Sequence, residues 1–195
     1  FTTVQSIEYF NKLNGRNRNR YYMFMLWTLG ATMAIFLSAN LYTTFIFFEV
    51  MTFTSYVLVI HGESEKAIDA SKSYLGFGVL GGLVTLMGLF MLQANIGTLE
   101  MDQILSAIQS SGTSYGMVLA SGLLILFGFG VKAGMYPLHT WLPKAYVAAP
   151  EPATALLSAV LSKAGIYGIF VVTGQILLHD YTWGLVILIA GTLTM

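Results

Sequence analysis

Residues 118–136 read VLASGLLILFGFGVKAGMY, an apolar run of membrane length that carries one charge, Lys132, and is followed by Pro137 and Pro143. Crossing a hydrocarbon core takes about 20 apolar residues. A charge at bilayer depth costs at least ~2.5–3.5 kcal/mol on insertion scales, so a lysine here is expected to face a protein interior and to have a role. Proline inside a helix removes a donor and clashes with the preceding turn, so Gly134 and Pro137 mark a helix break just after Lys132. Broken helices at membrane depth are tolerated where they pack in protein or line a wet cavity, and transporters build ion sites from them. Beyond the break the apolar run continues weakly to about Val147.

Two further stretches repeat the pattern. Residues 41–60, LYTTFIFFEVMTFTSYVLVI, carry Glu49, and residues 153–172, ATALLSAVLSKAGIYGIFVV, carry Lys163. Low dielectric penalises the charged form of an isolated glutamate or lysine, and an opposite charge brought close restores both. Motion of Glu49 relative to Lys132 would therefore decide whether Lys132 holds a proton. Lys163 would register the change as altered repulsion and could pass or receive the proton through water. Such a relay needs no cofactor. Simpler roles stand beside it. Glu49 could be a structural carboxylate satisfied by Thr43, Thr44, Thr52, Thr54 and Ser55, Lys132 could snorkel to the interface, and His139 could be an ordinary interfacial histidine rather than a relay.

Composition agrees with a membrane origin: the chain is 56% hydrophobic and 9% charged, against roughly 25% charged residues in a soluble domain. Zero net charge and the lack of any basic run argue against nucleic acid as a partner. The absence of cysteine excludes disulfides, iron–sulfur clusters and thiolate metal sites, and three scattered histidines argue against haem or a multi-histidine metal centre. No cofactor and no metal are expected. The chain opens on Phe1 and stops at Met195 inside an apolar run, so it is expected to be a piece of something larger.

The apolar stretches place spans at 21–39, 42–60, 73–92, 115–136 and 152–178, with a sixth starting at Trp183. Lipid offers the backbone no hydrogen-bond partners, so these must be helices. The expected fold is an all-α integral membrane bundle with one broken helix, five full spans and the start of another. It divides into an N-terminal segment 1–20, a five-helix unit 21–178 and a further helix start 179–195. Lys12, Arg16, Arg18, Arg20, Lys66, Lys72 and Lys144 all fall in loops of one side, while Glu100, Asp102 and Asp180 fall on the other. Positive residues stay inside, which puts the N-terminal segment in the cytoplasm. Tyr21, Tyr22, Tyr74, Tyr115, Trp141, Tyr146, Tyr181 and Trp183 sit near span ends as interfacial aromatics. Met101, Ile104, Leu105 and Ile108 recur at helical spacing, which predicts a short interfacial helix. Gly78 with Gly82, and Gly130 with Gly134, are small-residue pairs that would permit close helix contact.

The run PLHTWLPKAYVAAPEPATALLSAVLSKAGIYGIF resembles the signature of the antiporter-like membrane subunits found in respiratory complex I, Mrp-type sodium/proton antiporters and membrane-bound hydrogenases. FFEVMTFTSYVLV is similar to that family's glutamate-bearing helix and FGFGVKAG to its lysine-bearing broken helix. The resemblance covers roughly residues 21–195. It implies two inverted five-helix repeats, of which this chain supplies the first. It also implies a Glu49–Lys132 pair and a place for Lys163 on a hydrophilic axis that carries protons, coupled to redox chemistry elsewhere or to sodium exchange. Other membrane subunits, including a chain with the second repeat, would be partners. The location would be a bacterial or archaeal cytoplasmic membrane, with the mitochondrial inner membrane as the alternative. Enzyme status is open: the chain has no redox centre of its own but would belong to an oxidoreductase or an antiporter complex. Departures from the pattern are Pro150-Glu151-Pro152-Ala153-Thr154, Lys144, and Tyr146 where a histidine is common. The competing readings are a non-conducting structural subunit or relic that packs its neighbours, a self-contained channel, and a member coupled to inorganic-carbon uptake.

Overall fold

The computed structural model describes residues 2–12, 17–177 and 180–195. Arg16 and His179 lie outside the described residues, as does the side chain of Lys12. The helices are α1 (Thr2–Lys12), α2 (Arg18–Leu37), α3 (Leu41–Val59), α4 (Glu65–Ile96), α5 (Ile104–Ser111), α6 (Tyr115–Ala133), α7 (Trp141–Ala148), α8 (Glu151–Ile176) and α9 (Tyr181–Thr194). Polar side chains at the ends start several of them. Asn40 accepts from the Tyr42 N–H at 2.8 Å, Ser64 from Ala67 at 3.1 Å and Asp180 from Trp183 at 2.6 Å. Each satisfies an amide that the helix itself leaves unpaired.

Four helices are long and apolar enough to cross a membrane: Leu41–Gly62, Glu65–Ile96, Tyr115–Ala148 and Glu151–Ile176. The expected count of five spans plus the start of a sixth is therefore not supported. Helix α2 has 20 residues but opens on Arg18 and Arg20, and α9 has only 14. The third of the four spans runs through the break and includes α7, as the weak apolar continuation to Val147 suggested. The short helix expected after Glu100 forms as α5, with Ile104 buried.

The helices line up in the order α2, α3, α4, α6, α8, with α4 packed between α3 and α6. In lipid, helix association depends on close packing rather than on hydrophobic expulsion from water. Small residues on α4 supply that closeness on two faces. A methyl at Gly78 would lie 2.7 Å from Thr52 Cγ2 of α3, and one at Gly81 would lie 3.2 Å from Val131 of α6. On α6, Gly128 lies against Thr85 and the Gly81 carbonyl, and Gly165 of α8 lies against the backbone of Phe129 and Ala133. The second expected pair behaves differently. Gly130 faces Met135 and Gly134 faces Leu142, so both serve the break rather than a neighbouring helix.

Ion pairs and hydrogen bonds mark the two ends of the bundle. Arg20 bonds Glu63 at 2.6 Å and Lys144 lies 3.9 Å from Asp69 at one end. At the other, Asn40 donates to Glu100 at 2.8 Å and Tyr115 to Asp180 at 3.0 Å. The aromatic residues correct the interfacial expectation. Tyr21, Tyr74, Trp141 and Trp183 are buried inside the bundle. For Trp141 and Trp183 the polar tip finds a partner that lets the ring sit inside, while the Tyr21 hydroxyl has none. Trp141 Nε1 donates to the Val131 carbonyl at 2.8 Å, and Trp183 Nε1 to Thr173 at 3.1 Å.

Candidate functional site

The break comes first, because it places Lys132. Helix α6 ends where Gly134 takes φ +79°, a left-handed conformation that suits glycine. The Met135 N–H returns to the Gly130 carbonyl at 2.9 Å. The chain then passes Pro137 and a single 3-10 turn, Leu138–Thr140, before α7 resumes the helix. The Tyr136 N–H, left free by the break, donates to Thr194 Oγ1 of α9 at 3.2 Å. Pro137 itself is exposed, and Gly134 packs against Leu142.

Lys132 lies two residues before Gly134 and turns inward, with only 3% of its surface exposed. It does not snorkel. Its amine donates a hydrogen bond to the hydroxyl of Tyr74 on α4 and lies 4.2 Å from the centre of that ring, with the Trp141 ring 5.9 Å away. The Tyr74 hydroxyl in turn sits 2.5 Å from Ser55 Oγ on α3, and Ser55 donates to the Met51 carbonyl at 2.6 Å. Three helices thus share one buried hydrogen-bonded chain.

Glu49 lies on α3, about one and two-thirds turns before Ser55. It is half-buried, and its Oε1 is enclosed without a hydrogen-bond partner. Four of the five hydroxyls expected as its structural partners are engaged elsewhere. Thr44, Thr52 and Thr54 donate to carbonyls one turn back, as Ser55 does. Glu49 and Lys132 do not form a direct ion pair, yet each lies within electrostatic reach of the other. Gly82 on α4 makes room for the carboxylate: a methyl there would lie 2.8 Å from Glu49 Cδ and collide with Oε1.

Lys163 is placed otherwise. Helical spacing turns Ser162, Ala164, Gly165 and Gly168 toward the interior, which leaves Lys163 exposed on the outer face of α8. This chain alone does not sequester it, and no ion pair joins it to Glu49 among the described residues. Its amine donates to the Ser158 carbonyl at 3.1 Å, within a π-helical turn at Leu157–Leu161. Such turns widen the helix by one residue and are frequent at functional sites. Nothing in the residue pattern announces this one. Beside it, Ser162 Oγ lies 3.1 Å from the Tyr146 hydroxyl of α7, a bond between the resumed helix and the lysine-bearing one. His139 stacks on Tyr136 with ring centres 5.7 Å apart, and no hydrogen bond joins it to Lys132 or Lys163 among the described residues.

Tyr74 and Ser55 are the members of the cluster that sequence reasoning gave other roles. Tyr74 sits near a span end and reads as an interfacial ring. The signal that could have found it is the Gly78–Gly82 spacing, which brings that face of α4 against α3 and its polar residues.

Residues 38–195 match the family described as NADH:quinone oxidoreductase/Mrp antiporter, TM. The chain is 34% identical over 165 residues to a Na(+)/H(+) antiporter subunit of Bacillus subtilis, covering 85% of this chain and 33% of that protein. It is 30% identical over 195 residues to hydrogenase-4 component B of Escherichia coli, covering 98% and 28%. The fold matches a chain of the membrane-bound sulfane sulfur reductase, an archaeal respiratory membrane complex, with TM-score 0.71 at 30% identity, covering 76% of this chain and 30% of that one. The chain thus spans about a third of the length of these relatives. Its apolar helices and this match make it an integral membrane protein. The chain belongs to the NADH:quinone oxidoreductase/Mrp antiporter transmembrane family.

Proposed function

We propose that this chain is part of an ion-translocating subunit of a multisubunit membrane complex, moving protons, or exchanging them for sodium, through Glu49, Lys132 and Lys163. One observation carries the reading: a buried lysine amine beside a helix break, within electrostatic reach of a carboxylate oxygen that has no hydrogen-bond partner. A buried charge without a function would be a pure cost to the fold. When Glu49 and Lys132 approach, each stabilises the charged form of the other; when they part, Lys132 can release its proton. The Tyr146–Ser162 hydroxyl pair supplies a polar step from the broken helix toward Lys163. His139, beyond the break, would serve as a relay at the mouth of the path.

In this reading α2, α3, α4, α6–α7 and α8 form a five-helix repeat, with α2 spanning by virtue of its neighbours, and α9 opens the next part of the protein. The second repeat, contributed by the remainder of the subunit or another chain, would cover the exposed face of α8 and enclose Lys163. The basic end, with Arg20 and Lys144, would face the cytoplasm of a bacterium or archaeon.

The test uses the assembled complex in sealed vesicles. Glu49→Ala is expected to leave assembly intact and to lower proton translocation by about 100-fold, the scale of losing a proton-transfer group. Translocation at the wild-type rate would reject the reading. Gly82→Ala gives a subtler check. Alanine favours a helix by about 1 kcal/mol over glycine, and the group it displaces is the end of a flexible side chain. Thermal stability is expected to hold or rise while translocation falls about tenfold, because a small misplacement of a reacting group is costly. A variant with unchanged transport would show that the position of the carboxylate is unimportant.

A further inference from the structure

We propose that Tyr74 is a positioning residue that holds the Lys132 amine apart from Glu49, so that Lys132 exchanges a neutral partner for a charged one in each cycle. The inference rests on the translocation reading above and names a residue that reading does not require.

The geometry begins with a competition. The Lys132 amine is bonded to the Tyr74 hydroxyl, while Glu49, within its electrostatic reach, has an Oε1 with no partner. The Tyr74 side chain is fixed from several directions. It is only 2% exposed, its ring meets Trp141 edge-on at 5.1 Å, and its hydroxyl lies 2.5 Å from Ser55 Oγ. The ionisable groups that face it are Glu49 from α3, Lys132 from α6 and Tyr146 from α7.

A hydroxyl both donates and accepts, and that property suits either state of the lysine. A protonated amine can only donate, so the Tyr74 proton must point to Ser55, and the Ser55 proton to the Met51 carbonyl at 2.6 Å or the Thr52 carbonyl at 3.1 Å. The chain then ends on backbone acceptors. A neutral amine offers a lone pair, so the Tyr74 hydroxyl can reverse and donate to it, accepting in turn from Ser55. No covalent bond changes; the hydroxyl protons reorient. Tyr74 therefore accommodates Lys132 before and after proton release, whereas Glu49 favours the protonated amine alone. Without the hydroxyl, Lys132 would be left with Glu49 as its remaining polar partner, and the pair would separate slowly.

The test is Tyr74→Phe in the assembled complex in sealed vesicles, with translocation measured across pH. Phenylalanine keeps the ring against Trp141 and beneath the Lys132 amine, so assembly is expected to be unchanged. The rate is expected to fall about tenfold, and the midpoint of its pH profile to rise by about one pH unit, because Glu49, the partner that remains, favours the protonated amine alone. Ser55→Ala, on a different helix, is expected to move the midpoint in the same direction by less, and to add nothing to Tyr74→Phe. It decides the matter if Tyr74→Phe fails to assemble. A Tyr74→Phe or Ser55→Ala complex with wild-type rate and midpoint, alongside an inactive Lys132→Ala complex, would overturn the role of Tyr74 and leave the translocation reading standing. An active Lys132→Ala complex would overturn both.

Discussion

Lys132→Ala in the assembled complex is expected to abolish ion translocation, by about 100-fold or more, while the complex still forms. The stability side of the expectation follows from burial. Lys132 is buried beside the Tyr74 and Trp141 rings, and removing it takes away an ion that is costly to hold in a low-dielectric interior. The Tyr74 hydroxyl keeps its bond to Ser55, so no new orphan is created there. Function has no such compensation, because among the described residues Lys132 is the cation that acts on Glu49. Lys132→Arg separates charge from proton exchange. A guanidinium stays protonated in proteins, so it would preserve a positive charge beside Glu49 and still fail to release a proton. Arginine is therefore expected to be as inactive as alanine. A translocating arginine variant, measured as proton flux in vesicles, would mean that Lys132 acts as a fixed charge.

Gly128→Val is expected to have the largest effect on the fold. A side chain at Gly128 would run into Thr85 Oγ1 and the Gly81 carbonyl, with Thr85 Cβ 3.0 Å away. The obstacle is the backbone of α4, which cannot rotate aside as the end of a flexible chain can. Thr85 is itself tied to the Gly81 carbonyl at 2.9 Å, so its hydroxyl is not free to move without losing that bond. Overpacking a well-packed core typically costs about 1–3 kcal/mol, and separating two helices of the central layer would reach or exceed the upper end. The expected readout is loss of folded protein from the membrane and a marked drop in thermal stability of the purified complex. Gly30→Ala is the control. No atom of a neighbouring element lies within 4 Å of a methyl added there, so accumulation and stability should match or slightly exceed the wild type. If Gly128→Val behaved like Gly30→Ala, the close approach of α4 and α6 would not be a determinant of the fold.

What the amino-acid sequence determined by itself was what the chemistry of lipid enforces residue by residue. Apolar length required helices, because an unpaired backbone amide has no partner in hydrocarbon. Pro137 required a break just after Lys132, because proline removes a donor and clashes with the preceding turn. The cost of burying Glu49 and Lys132 marked them out from any solvated charge. Those arguments are local and need no knowledge of neighbours. The tertiary structure decided who faces whom. The direction of a side chain on a helix depends on which of its faces is covered, and that is set by the glycine contacts of α4 with α3 and α6. Hence Tyr74 and Trp141 turned from interfacial rings into the walls of a buried site, and Lys163 came to lie on an outer face of α8. Thr44, Thr52 and Thr54 bond their own helix backbone, and Glu49 Oε1 has no partner. The number of spans escaped local reasoning for a related reason: Arg18 and Arg20 dilute α2, so its place in the bundle rests on packing against α3 rather than on its own composition. The π-helical turn beside Lys163 has no marker in residue type.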